Sequence, residues 1–344
     1  MKKGEEKGDF RKGGFGGLGR ERKGVKKLAK SGRTKNKFQV GIMEKQLCGL
    51  IPAIVIPFDE RRELEQDVLE KYIEIVCSAK IAAIAVNTDA GEGAFLTQEK
   101  REEILKIVKK RGKNVPVVCG IGGATTTQAI EYGKRYKDLG ADYFLVFPHF
   151  AFRGSKGLDK SVITYHENLS KIGVPLILFQ LQQDLGGVFY SDETIEKLVE
   201  IDNVVAIKEA SFDALKFRNM KILLENQKRK ISLLTGNDNF IIESFILGAN
   251  GALIGFGSVF TDIQADAINL ALEGRFKEAM EKFSILNQLC DFCFKQPVRD
   301  YRIRMKHVLV AQKIFRNAFV QPPLQPIDRS EKEKLLQILS RIVL

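Results

Sequence analysis

The chain has no apolar run approaching the roughly 18 residues that a membrane-crossing helix needs, which excludes such a span. Its first segment also lacks the apolar core of a secretory signal, so the cytoplasm is the expected compartment. Paired cysteines are missing too. The five present (Cys48, Cys77, Cys119, Cys290 and Cys293) are an odd number, mostly inside apolar segments, and read as reduced, packed thiols. Cys290 and Cys293 form a C-x-x-C pair without a second pair or a nearby histidine. They read as two small apolar residues one helical turn apart, and no metal site is expected.

Net charge is small over most of the length. The formal net charge is +12, but residues 1–42 hold fourteen Lys/Arg against four Asp/Glu and so account for +10 of it. The body is nearly neutral, which argues against a nucleic-acid-binding patch on the fold. Residues 1–42 are rich in Gly and Lys and poor in core-forming residues. They are expected to form a disordered extension, the only part where weak nucleic-acid binding by counterion release is conceivable. Met43 begins a chain of ordinary length, which also fits a start placed upstream of the native one.

From residue 43 onward, short apolar runs alternate with amphipathic stretches. The runs are 49–58, 81–88, 115–122, 141–148, 174–180, 204–211, 231–237 and 251–259, and each is rich in Val and Ile, as strands buried on both faces are. Between them lie helix signals: Thr97 and Ser191 as N-caps, Gly112 and Gly140 as stops. Eight βα units in succession predict an α/β fold, a (β/α)₈ TIM barrel over 43–260. An open doubly wound sheet would carry a Gly-rich phosphate turn after its first strand, and IPFDERREL is not one. Residues 261–344 are expected to supply the last barrel helix and a C-terminal helical extension on the barrel side. That extension is long enough for an oligomer interface, and a homo-oligomer, with a tetramer as the candidate, is the expected state.

Barrel enzymes place their chemistry at the C-terminal strand ends. Lys208, in VVAIKEAS, is the conspicuous group, because an ammonium among apolar residues loses solvation, its pKa falls, and the neutral amine becomes nucleophilic. Pairing with Asp238 or Glu209 as a purely structural cation explains it equally well at this stage. Asp89 at the end of strand two and His149 at the end of strand four are the candidate acid–base groups, against readings as a helix cap and a surface histidine. Glu92 reads as a structural acceptor for backbone N–H groups. Arg299, Arg302 and Arg304 recur at helical spacing and read as a solvated face or an ion-pair network.

The segments Gly49–Phe58 (G-x-x-P-A-x-x-x-P-F), Thr88-Asp89-Ala90-Gly91-Glu92, Ile207-Lys208-Glu209-Ala210, Thr235-Gly236-Asn237-Asp238 and Gly248–Gly255 appear in an order and spacing that carry a resemblance. The chain resembles the dihydrodipicolinate synthase / N-acetylneuraminate lyase family over 47–330. The resemblance implies a class I aldolase-type lyase in which Lys208 forms an imine with a 2-oxo acid. Backbone N–H groups at 88–91 would hold the acid's carboxylate, with Thr88, Ala90, Gly91, Phe179, Gln180, Asn237 and Gly255 around the substrate. It implies no metal or organic cofactor, because the imine is the electron sink.

The departures are specific. Asp89-Ala90 stands where that family usually has Thr-Thr or Ser-Thr, and Phe179-Gln180 where a strand-five tyrosine is usual. His149-Phe150 replaces a second tyrosine of the synthases, and no arginine follows strand five in Gln182-Gln183-Asp184. Phenylalanine carries no proton, so the expectation is a Schiff-base lyase of aldolase or dehydratase type on a 2-oxo acid, and not the synthase reaction itself. The alternative is a non-catalytic barrel that binds a small acid in a sensor or regulatory role.

Overall fold

The computed structural model describes residues 47–342; the basic extension at 1–42 lies outside the described residues. Strands and helices alternate as β1 (Gly49–Pro52), α1 (Gln66–Ser78), β2 (Ile84–Val86), α2 (Gln98–Arg111), β3 (Val117–Ile121), α3 (Thr126–Asp138), β4 (Tyr143–Val146) and α4 (Lys160–Ser170). They continue as β5 (Leu176–Leu181), α5 (Asp192–Leu198), β6 (Val204–Ala210), α6 (Ala214–Glu225), β7 (Ser232–Thr235), α7 (Ile241–Ile246), β8 (Gly251–Ile254) and α8 (Thr261–Leu272). Each apolar run seen in the sequence contains one strand, with β5 running one residue further, to Leu181.

All paired strands are parallel, in the order β1-β8-β7-β6-β5-β4-β3-β2. A parallel bridge between Ala53 and Ala85 brings the two ends together, so the sheet is a (β/α)₈ barrel. Nearly every strand residue is buried, because helices cover the outer face and side chains fill the lumen. The helix starts follow the capping rules. The Thr97 hydroxyl accepts from Lys100 N–H (3.3 Å), and Ser191 does the same for Thr194 N–H (3.3 Å).

Beyond α8 come α9 (Phe276–Phe294), α10 (Tyr301–Ala311) and α11 (Arg329–Leu339). Cys290 and Cys293 are buried in α9 as free thiols. The extension does more than flank the barrel. Helix α9 packs on α7 and α8, whereas α10 brings buried polar side chains to the loop after β2. Among the described residues, no helix is long and apolar enough to cross a membrane.

Candidate active site

Side chains on a strand alternate between its two faces, and this rule sorts the candidates. On β6, Lys208 points into the barrel mouth while Glu209 points outward, where its carboxylate takes hydrogen bonds from Ser211 N–H (3.1 Å) and Asn237 Nδ2 (2.7 Å). On β5, Phe179 lies inward beneath Lys208, with Nζ 4.4 Å from the ring centroid. After β7, Gly236 and Asp238 face the same chamber. A Cβ at Gly236 would sit 2.5 Å from Lys208 Cε, so only glycine leaves room for the lysine side chain.

Lys208 is buried, and among the described residues no carboxylate oxygen lies within the 4.0 Å that defines an ion pair. The structural pairing with Asp238 or Glu209 is therefore not made. Burial lowers its pKa to about 8, against the pull of Asp238 and Asp89. Asp238 is also buried, and burial raises its carboxyl to about 7, opposed by the Phe256 N–H that donates to it (2.8 Å) and by Lys208. The chamber thus holds an amine and a carboxyl that both titrate near neutrality.

The loop after β2 forms the opposite wall. It is bracketed by Asn87 (φ 53°) and Glu92 (φ 58°), two non-glycine residues in the left-handed region. Such geometry persists only when neighbours hold it. Glu92 is fully buried, bonded to Gln321 N–H (2.6 Å) and paired with Lys306 (2.5 Å); it fixes the loop as expected, but through the C-terminal segment. Thr88 lines the chamber with a buried hydroxyl that has no partner among the described residues. Ala90 lines it too, and the N–H groups of Ala90 and Gly91 make no hydrogen bond among the described residues. Gly91 itself lies against the segment that follows β1, where a Cβ would be 3.0 Å from the Ile54 carbonyl.

Asp89 is neither a free carboxylate nor a helix cap. Its Oδ2 accepts the Tyr301 hydroxyl (2.9 Å), its carbonyl accepts Arg302 Nε (2.7 Å), and its Oδ1 pairs with the Arg302 guanidinium. Tyr301 and Arg302 are neighbours on α10, and both are buried. The chamber walls include Thr88, Asp89, Phe179, Asp238, Gly255 and Tyr301, and the space beside Lys208 is about 30 Å³. That is the room of about one water. A larger cleft of about 680 Å³ shares the walls Thr88, Asp89, Leu181 and Leu185.

Three of the expected site residues lie elsewhere. His149 lines a separate depression beside α3 and α4, and both ring nitrogens are engaged, one with Ala151 N–H (3.1 Å) and one with the Ala124 carbonyl (3.1 Å). It is not among the residues that line the Lys208 chamber, and its two ring bonds hold it in its own depression. Gln180 points outward by strand alternation and bonds Tyr190 through both its amide atoms (2.8 and 3.2 Å). Asn237 likewise braces the end of β6, accepting from Phe212 N–H at 2.6 Å. Conversely, sequence reasoning missed Tyr301, whose partner Asp89 is 212 residues away. Of the three spaced arginines, Arg302 and Arg304 are buried and ion-paired, Arg304 with Glu331 (2.8 Å), while Arg299 remains exposed.

Comparison with known proteins places this geometry. The profile of the dihydrodipicolinate synthetase family matches residues 46–342. Among curated relatives, the 4-hydroxy-tetrahydrodipicolinate synthase of Methanothrix thermoacetophila is 28% identical over 86% of this chain and 96% of its own. That of Staphylococcus carnosus is 27% identical over 85% and 96%. Among solved structures, the dihydrodipicolinate synthase of Aquifex aeolicus superposes with a TM-score of 0.77 at 25% identity, covering 86% of this chain and 98% of that one. The chain belongs to the dihydrodipicolinate synthetase family, and with it to a class of lyases.

Proposed function

We propose that the protein is a Schiff-base-forming lyase of aldolase or dehydratase type that acts on a 2-oxo acid through an imine at Lys208. The observation that carries this reading is a buried lysine with no ion-pair partner among the described residues and a pKa pulled down to about 8, facing a chamber whose other wall offers unused donors. Near neutrality a useful fraction of the amine is uncharged and able to attack C2 of the acid. The Thr88 hydroxyl and the N–H groups of Ala90 and Gly91 receive the substrate's carboxylate. Asp89 does not repel that carboxylate strongly, since Arg302 compensates its charge.

A 2-oxo acid exceeds the free space beside Lys208, so its entry moves wall side chains, and a longer substrate extends into the shared cleft. The relatives' synthase reaction is not assigned to this chain, because no arginine follows β5 in Gln182-Gln183-Asp184 to hold a second substrate's carboxylate. Phe150 and Phe179, which carry no proton, favour one other reading, a non-catalytic barrel that senses a small acid.

Borohydride trapping separates the two. Incubation with a panel of 2-oxo acids, hydroxylated ones included, followed by reduction should leave a stable adduct on the Lys208 peptide, and Lys208→Arg should abolish it. No adduct with any acid, combined with a raised melting temperature, would establish the binding protein instead.

A further inference from the structure

We infer that Tyr301, supplied by the C-terminal helix α10, is the catalytic phenol of this chamber and carries protons between the Lys208 nitrogen and the C2 oxygen of the bound acid. The inference rests on the imine reading above.

Geometry comes first. The aromatic residues Phe179, Phe212 and Phe294 in the chamber wall have no proton to give, and Thr88 and Tyr301 hold its only hydroxyls. The Tyr301 ring is fixed on two sides. It stacks on Phe294 (centroids 4.9 Å apart, planes at 19°), and it passes so close to Gly255 that a Cβ there would meet Cε2 at 3.0 Å. The next residue, Arg302, clamps Asp89, and Asp89 in turn accepts the Tyr301 O–H. A phenol is thus held at the wall facing Lys208 with its hydrogen oriented by a carboxylate that is itself oriented. Burial and the adjacent Asp89 charge both raise the Tyr301 pKa well above its ordinary value, so the group enters the reaction as a proton donor.

The proton balance closes without an outside reagent. The lone pair of neutral Lys208 attacks C2, and the carbonyl π pair moves to oxygen. The phenol hydrogen turns from Asp89 to that oxygen, and the tyrosinate recovers a proton from the adduct nitrogen, leaving a neutral carbinolamine. In the second stage Tyr301 again protonates the departing hydroxyl as the C–O bond breaks, and it again recovers a proton from nitrogen. Both hydrogens of the Lys208 amine leave in one water, the C=N bond replaces C=O, and Tyr301 ends as it began.

The test uses the full chain and pyruvate plus hydroxylated 2-oxo acids as probes. Tyr301→Phe removes one oxygen and should slow borohydride-trappable labelling of Lys208 by about 10²-fold or more, while the acids still raise its melting temperature as they do for wild type. Labelling at the wild-type rate overturns the proposal and leaves the imine reading standing. Absence of any Lys208 adduct in the wild type overturns both. A merely structural tyrosine is separated by placing 3-fluorotyrosine at position 301, which keeps the shape and the bond to Asp89 but makes the phenol more acidic. The high-pH fall in labelling rate should then move to lower pH. An unmoved profile overturns the proposal, and this measurement also serves should Tyr301→Phe fold poorly.

Discussion

Lys306 and Glu92 meet 2.5 Å apart, ammonium to carboxylate, with neither side chain exposed to solvent. One comes from α10, the other from the loop that walls the Lys208 chamber. Breaking a buried pair strands the remaining charge. Lys306→Met should therefore destabilise the protein by about 3–5 kcal/mol in denaturant unfolding, and the double variant with Glu92→Leu should recover a large part of that loss. A single variant as stable as wild type would show that the pair contributes nothing to holding the loop.

Asp89→Asn follows the same logic with a smaller effect. Asp89 is partly exposed at 21%, and its Arg302 partner is buried. Loss of the carboxylate charge should cost about 1–3 kcal/mol. Combining it with Arg302→Leu should bring stability back toward wild type. Equal stability of Asp89→Asn and wild type would mean that the guanidinium finds other acceptors.

Imine formation should follow the ionisation of Lys208. Its folded pKa of about 8 lies below the ordinary 10.5, so the nucleophilic form gains population as pH rises through 8. Initial borohydride-labelling rates should climb about tenfold per pH unit below that point, level off above it, and fall only at the higher pH where Tyr301 loses its proton. A rate that keeps rising toward 10.5 would mark an ordinary, solvated lysine.

Acid should unfold the protein partly through His166. Burial lowers its pKa to about 4 from 6.5, against its hydrogen bond to the Val162 carbonyl (2.8 Å). Between those pH values the unfolded chain takes up a proton that the folded chain refuses. Stability is complete above 6.5 and is lost as pH falls toward 4, by about 3 kcal/mol at 1.36 kcal/mol per pKa unit. His166→Leu should flatten that part of the stability–pH curve; an unchanged slope would exclude His166 as its source.

Condensation of pyruvate with aspartate semialdehyde should be weak. No arginine follows β5 in Gln182-Gln183-Asp184, so the carboxylate of the second substrate lacks its anchor even where Tyr301 moves the protons. Turnover within the usual enzymatic range of about 1–10³ s⁻¹ would refute this expectation.

The barrel was legible because its signal is local. Eight Val/Ile-rich runs at βα spacing each became a strand, and Thr97 and Ser191 capped the helices they precede. Lys208 was legible for the same reason, since a charge inside an apolar strand stands out within eight residues. His149, Gln180 and Asn237 fell within the correct segments, but Gln180 faces outward from β5, and the loop residues His149 and Asn237 are held by Ala124 and by the end of β6. A strand end fixes position along the axis, whereas one residue more or less decides inside from outside. Tyr301 carried no local signal at all. Its role depends on how a helix after Pro297 returns to a loop some two hundred positions earlier, and composition does not encode that return.

Helix α10 sends Tyr301, Arg302 and Lys306 into the loop after β2 from a single face-to-face encounter. The appended helices are therefore equipment, not upholstery. A chimera that grafts α9 to α11 of this chain onto a relative's barrel would carry Tyr301, Arg302 and Lys306 across together. Removing those helices would take Phe294 and Tyr301 out of the wall that faces Lys208.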